Sequence, residues 1–238
     1  MQVRFLGVGE SFDEDYANNS HLIVSQTRLL LDCGYGVPTL LWSWHPEPDF
    51  LDAIYISHAH ADHCFGLPLL LLKYCTARRS KPLVLISCAG MQRRIVELME
   101  FAYRGVYAKL PFPLEFLAVT EGQGVEFREF SMDFAATLHP EPNLAVRIRH
   151  GGTAVCYSGD GQFTDASERL YSGASLLIHE AHTLEPGYPG HSGLREVVAM
   201  ARHAGVHTLA LTHLSRDLRR DPDKCLSLEF RVPGIPAS

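Results

Sequence analysis

Apolar residues fall into short runs bounded by glycine, proline and charged positions, a spacing that predicts many short strands. Val3–Val8, His21–Ser25 and Arg28–Asp32 read as strands. They lead into Cys33-Gly34-Tyr35-Gly36, a loop with two glycines, then a short helix over Val37–Ser43 and the proline-rich loop His45-Pro46-Glu47-Pro48. Ala53–Ile56 is a fourth strand and Leu83–Ser87 a fifth. Between them a helix is expected over Leu67–Ala77, since Pro68 suits a first helical turn. Gly90–Tyr103 is helical by spacing: Met91, Ile95, Leu98 and Met99 share one face, with Arg93, Arg94 and Glu97 elsewhere. Further strands are expected at Leu114–Val119, Gly124–Phe130, Phe134–Leu138, Ala145–Arg149 and Thr153–Tyr157. The chain closes with helix, strand, helix and strand at Thr164–Tyr171, Ser175–His179, Leu194–Ala204 and Thr208–Thr212. Strands in two batches with helices between and after them predict an α/β (α+β) chain. The expected architecture is two sheets face to face with helices outside, a four-layer αββα sandwich forming a single domain over residues 1–238.

The strand at Ala53–Ile56 runs into Ser57-His58-Ala59-His60-Ala61-Asp62-His63, where four metal-capable side chains fall within six residues. Alternation along an extended chain turns His58, His60 and Asp62 one way. His63 joins them only if a helix begins there, as Gly66 and Pro68 suggest. Two imidazoles can then aim at one point, and a carboxylate and a third imidazole at a neighbouring one. His and Asp are the usual ligands of borderline and hard divalent cations. Ligand-type residues recur at the ends of later strands: His139 after Phe134–Leu138, Asp160 after Thr153–Tyr157, and His213 after Leu209-Ala210-Leu211-Thr212.

Composition narrows the setting. The 238 residues suffice for one sizeable core, and no apolar run approaches the ~20 residues that span a bilayer. The start of the chain reads as a first strand rather than a signal peptide. Six scattered cysteines (Cys33, Cys64, Cys75, Cys88, Cys156 and Cys225), with no CxxC pair, imply free thiols in a reducing, cytoplasmic compartment. A net charge of −6 argues against a surface that binds nucleic acid throughout. Local basic clusters remain at Arg78-Arg79-Ser80-Lys81, Arg93-Arg94 and Arg216 to Arg220.

Taken together, His58-x-His60-x-Asp62-His63, His139, Ser158-Gly159-Asp160 and His213 resemble the ligand series of the metallo-β-lactamase superfamily, with Asp32-Cys33-Gly34 matching its early D-x-G. The likeness covers nearly the whole chain. His179-Glu180-Ala181, His191-Ser192 and Leu211-Thr212-His213-Leu214-Ser215 are similar to motifs of the tRNase Z branch. The resemblance implies two divalent ions per chain, Zn2+ first, with Mn2+ or iron as alternatives. His58, His60 and His139 would hold one ion, Asp62, His63 and His213 the other, and Asp160 would bridge them. It also implies a homodimer.

The chain departs from that branch in two places. The 20 residues between His139 and Asp160 are filled by two strands, and nothing elsewhere looks like the branch's projecting tRNA-gripping arm. Gly161 stands where the branch usually has Thr. Small cyclic-phosphate phosphodiesterases share the armless layout. The expected activity is a phosphodiesterase acting on RNA 3′ ends or on small or cyclic phosphodiesters, through a hydroxide shared by two metals. Asp62 would hold the nucleophilic water, and His191 would protonate the leaving group with Glu180 as its partner. Ser192 could cap the Leu194–Ala204 helix and leave its N–H groups to the substrate, and Arg216 is the most plausible substrate cation. Cys64 reads as an inert buried thiol. A lactonase or thioesterase on the same ligands, and a non-catalytic metal-binding scaffold, are the competing readings.

Overall fold

In the computed structural model residues 1–221 are described; Cys225 lies outside them, and the other five cysteines are free. The chain divides into two compact units, each built on a six-stranded sheet.

The first unit comprises Met1–Gly7 and Ala17–Val119. Its strands are β1 (Gln2–Gly7), β2 (Ser20–Val24), β3 (Arg28–Leu31), β4 (Ala53–Ile56), β5 (Leu83–Cys88) and β6 (Leu114–Val119), lying in sequence order across the sheet. β1, β2 and β3 are antiparallel, as a tight turn at Ser25–Thr27 allows. From β3 to β6 the pairing is parallel. Parallel neighbours need crossovers, supplied by α1 (Val37–Trp44), then α2 (Ala61–Cys64) with α3 (Leu67–Thr76), then α4 (Met91–Ala102). All four residues of β4 are buried, as in an internal parallel strand. Ile54 and Ile56 pack with Leu70, Leu71, Leu85 and Ile95 in one apolar cluster. Met91, Ile95 and Met99 form the buried stripe of α4.

The second unit comprises Val8–Tyr16 and the chain from Thr120. Its strands are β7 (Gly124–Phe127), β8 (Phe130–Ala136), β9 (Leu144–His150), β10 (Thr153–Tyr157), β11 (Leu176–Glu180) and β12 (Leu209–Thr212), again neighbours in sequence order. β7 to β10 form an antiparallel meander. β10, β11 and β12 run parallel, through crossovers by α5 (Asp165–Tyr171) and α6 (Leu194–His203). Gly151 and Gly152, both at positive φ (56° and 79°), turn β9 into β10 as a two-residue hairpin requires. Leu194, Val197, Val198 and Ala201 bury one face of α6 against Leu177, Leu209 and Leu211. A last short helix, α7, spans Arg216–Arg219.

Three expectations change. Leu114–Val119 pairs with β5, so the strand batches split after it, not before it. The β7–β8 turn falls at Arg128-Glu129, where Phe127 pairs with Phe130; β8 therefore ends at Ala136, and Leu138 bridges Gln162 instead. The Arg78–Lys81 cluster is not solvated throughout. Arg79 is buried and donates to the carbonyls of Pro48 (2.5 Å), Leu51 (2.7 Å) and Pro82 (2.8 Å), while Lys81 pairs with Asp52. Among the described residues no helix is long and apolar enough to cross a membrane.

Arg79 therefore ties together three loop carbonyls, that of Leu51 fully buried. Arg79→Ala should lower unfolding free energy by about 3 kcal/mol in a urea titration. Arg79→Lys should recover less than half of that, because an ammonium cannot span the same fork. A wild-type midpoint in the alanine variant would contradict this role.

Candidate metal centre

In each sheet the ligand-type residues gather just beyond the C-terminal ends of strands, the usual position for sites on α/β sheets. In the first unit β4 stops at Ile56, so His58, His60 and Asp62 are not set by strand alternation. His60 instead takes the N-cap of α2 with extended backbone, and one helical turn carries Asp62 and His63. The His58 ring lies 4.8 Å from that of His60 and 4.2 Å from that of His63. His63 Nε2 stands 3.3 Å from Asp62 Oδ2.

Asp32, at the end of β3, organises this cluster. Its buried carboxylate accepts from Ser57 N (2.7 Å) and Ser57 Oγ (2.7 Å), and lies 2.7 Å from His63 Nδ1. A carboxylate can only accept here, so His63 carries its proton on Nδ1 and leaves the Nε2 lone pair for a cation. Ser57 has spent its one proton on Asp32; its Oγ, 3.0 Å from His58 Nδ1, must accept there, which fixes His58 in the same tautomer. Gly34 and Gly66 let the backbone close on α2: a Cβ on Gly34 would sit 1.9 Å from Asp62 O, and one on Gly66 2.2 Å from Gly34 O. Cys64 bonds Ala59 O through sulfur, and burial pushes its thiol up to about 12, as an inert cysteine should behave.

In the second unit His139 lies three residues beyond β8. Its Nδ1 is 3.0 Å from Glu141 O, which again leaves Nε2 as the donor atom. Asp160 follows β10 and is held through its backbone. Its N–H donates to Asn143 Oδ1 (3.2 Å), and its carbonyl accepts from Thr137 Oγ1 (2.6 Å). Asn143 Nδ2 also donates to Thr137 Oγ1 and Ser158 O. Gly161 has φ +108°, and a Cβ there would meet Thr137 Oγ1 at 2.5 Å, so this loop has no room for the Thr of the tRNase Z pattern. His213 follows β12 at φ 53°, with its N–H on Val8 O and Nε2 3.4 Å from Asp160 Oδ2.

Glu180 ends β11, fully buried. Oε1 accepts from Gly161 N (3.1 Å) and Ser192 N (2.9 Å), and Oε2 from His182 N (3.1 Å). His191 Nδ1 lies 3.4 Å from Oε1, and its ring stacks on His213 at 5.5 Å and 10°. Donor atoms of Glu180, His191 and His213 all lie within 4.8 Å of one another. His179 is a buried support, its Nδ1 2.7 Å from Glu180 O, and burial lowers its pKa. Burial lowers that of His182 as well.

One assignment changes and another gains partners. Ser192 does not cap α6; Gly193 does, its N–H held by Glu196 Oε1 (2.7 Å), while Ser192 is buried and gives its N–H to Glu180. Arg216 is paired with Glu10 (3.5 Å) and Glu14 (3.0 Å) of the Val8–Tyr16 segment. Asp32, Ser57, Thr137 and Asn143 received no role from the sequence. The D-x-G signature and the Ser just before the first His were the available signals for two of them.

Comparisons with known proteins follow the same lines. Residues 1–230 match the family of the anti-Pycsar protein Apyc1. The chain is 30% identical to ribonuclease BN of Enterobacter sp. strain 638, covering 96% of this chain and 93% of that protein. Human tRNase Z, short form, superposes with a TM-score of 0.77 at 25% identity, over 91% of this chain and 94% of that one. The metallo-β-lactamase fold protein YhfI of Bacillus subtilis gives 0.80 at 25% identity, over 97% and 94%.

If Asp32 sets the His63 tautomer, Asp32→Ala should weaken divalent-metal affinity about 10- to 100-fold in a competition titration against a chromogenic chelator. Asp32→Asn, which tolerates the left-handed backbone, should fall between the two. Wild-type affinity in Asp32→Ala would rule the arrangement out.

Proposed function

Because the chain belongs to the family of the anti-Pycsar protein Apyc1, within the tRNase Z-like short forms of the metallo-β-lactamase fold, we propose that it is a metal-dependent phosphodiesterase acting on RNA ends or small phosphodiesters. By the resemblance to the superfamily's ligand series, His58, His60 and His139 would hold one divalent ion, Asp62, His63 and His213 a second, and Asp160 both, zinc by first preference. The observation that carries this reading is the fixed tautomer of His58, His63 and His139, each with Nδ1 engaged and Nε2 left to a cation. Neutral imidazoles with two carboxylates fit borderline divalent metals. When bound, such a pair polarises the phosphoryl oxygens and makes water nucleophilic at neutral pH.

The protein groups divide the remaining work. Asp62 would orient the attacking water with its carboxylate. His191 reaches the leaving-group side and gives its proton to the departing alkoxide. Its plane is set by stacking on His213 and its Nδ1 edge by Glu180. Glu180 acts as a positioning residue: three main-chain N–H groups fix it, so it aligns His191 and the Gly161 and Ser192 loops together. Relatives named as ribonucleases give no support to a lactonase or thioesterase. The reading includes a cytoplasmic homodimer, in keeping with five free thiols.

Metal-reconstituted protein should bind about two ions per chain and hydrolyse bis-(p-nitrophenyl) phosphate, and chelation should abolish the activity. His191→Ala should lower kcat about 10²- to 10⁴-fold with metal content unchanged. Activity on a lactone or thioester panel alone would defeat the proposal.

A further inference from the structure

Two large apolar side chains stand open on the loops that carry His139 and His191. Leu138 is 62% exposed and Tyr188 49% exposed. Single exposed apolar residues are ordinary, but these two lie on loops in direct contact. A Cβ on Gly190 would meet Pro140 Cδ at 2.6 Å, and Gln162, whose backbone pairs with Leu138, reaches the Tyr188 carbonyl through Nε2 (3.5 Å). The Tyr188 ring is 4.6 Å from His182 and 5.7 Å from His191, while His191 meets His139 edge-on at 5.6 Å. An aromatic ladder thus leads from the proposed proton donor outward to a half-open tyrosine.

The loop that carries the tyrosine is restrained. Pro186 and Pro189 restrict the backbone around it, and Gly187 and Gly190 take the left-handed bends at φ 115° and 75°. The His191 N–H closes on Tyr188 O (3.2 Å), and Thr183 Oγ1 closes on Glu185 O (2.7 Å). Such a side chain loses little freedom when a ligand stacks on it.

Charge points the same way. Residues 137–143 and 183–193 contain no Lys or Arg and do contain Glu141 and Glu185; the neighbouring Arg195 is taken by Glu185 at 2.8 Å. Sequence-independent grip on a phosphate backbone rests on Lys and Arg. This rim offers instead a π-face and an aliphatic wall. Every nucleobase has a π-face that an aromatic side chain can stack on.

We propose that Tyr188, backed by His182 and with Leu138 on the adjoining loop, is the platform that stacks the nucleobase attached to the scissile phosphodiester. The inference rests on the phosphodiesterase reading and assigns its substrate a nucleobase, recognised by stacking and not by backbone charge. Tyr188 is here a specificity-determining residue and takes no part in proton transfer.

The test compares thymidine 5′-(p-nitrophenyl) phosphate with methyl p-nitrophenyl phosphate, which share a leaving group and differ in carrying a nucleoside or a methyl group. Tyr188→Ala should lower the ratio of their kcat/KM values about tenfold, the size of one lost base–aromatic contact. The loss should sit mainly in KM of the thymidine ester. Tyr188→Phe should restore the ratio, since stacking needs the ring and not the hydroxyl. Leu138→Ala, on the other loop, should lower it about threefold with the Tyr188 side chain intact. A 3′,5′-cyclic nucleotide and a short oligoribonucleotide run beside them identify the source of the base by which one loses rate in Tyr188→Ala. A wild-type ratio in both alanine variants overturns the platform while leaving the phosphodiesterase intact. Failure of the wild-type, metal-loaded protein to cleave either ester overturns the phosphodiesterase reading, and the platform with it.

Discussion

A carboxylate buried without hydrogen bonds costs several kcal/mol, and the protein buries one at the heart of each half of its donor set. Asp32 in the first unit and Glu180 in the second are both fully shielded from solvent. Each is tolerable only while its donors stay in place, so each fixes the geometry of the segments those donors belong to. Around Asp32 the donors are Ser57 and His63, which bracket the histidine-rich turn. Around Glu180 they are the N–H groups of Gly161, His182 and Ser192, from the β10–α5 connection and from both ends of the β11–α6 connection. Loops that would otherwise wander are thereby held to the tolerance a cation demands.

Backbone strain accompanies this arrangement in both units. Asp32 and His213 follow β3 and β12 and take left-handed φ values of 57° and 53°, which non-glycine residues seldom adopt. Both kinks turn a side chain at a strand terminus that an extended continuation would have pointed elsewhere. The conformational cost, of order 1–3 kcal/mol at each, is sustained by the hydrogen bonds around it: Asp32 N to Tyr55 O and His213 N to Val8 O. Glycine at either position would relieve the kink and lose the ligand or its orienting carboxylate.

Much of this was legible in the sequence because the signals are local. Twelve strands and the principal helices follow from apolar period and turn residues, and Gly151-Gly152 marks its hairpin outright. The seven metal-type residues stood out by spacing at strand ends. What stayed hidden depends on distant parts of the chain. Arg216 looked like a free cation until Glu14, 202 residues earlier, occupied it. Arg79 looked like part of a local basic cluster until three loop carbonyls closed around it. Ser192 was displaced as a cap by Gly193, because Glu180 claims its N–H from below. Asp32 was visible as a motif residue, but its hydrogen bonds to Ser57 and His63 exist only once β3 and β4 lie side by side.

The Gly151-Gly152 turn has a bearing on how such proteins diverge. It is exposed and caps a hairpin whose other end, at Asn143 and Ser158, secures Asp160. Seven residues of β9 separate the two, about 20 Å of extended chain. Lengthening an open turn is thermodynamically mild, about 0.6 kcal/mol for each doubling of loop length. An appendage could therefore be gained or shed at this tip across generations with the cation-holding loops left undisturbed. Reach toward large substrates and the chemistry of bond cleavage would then be inherited as separable traits.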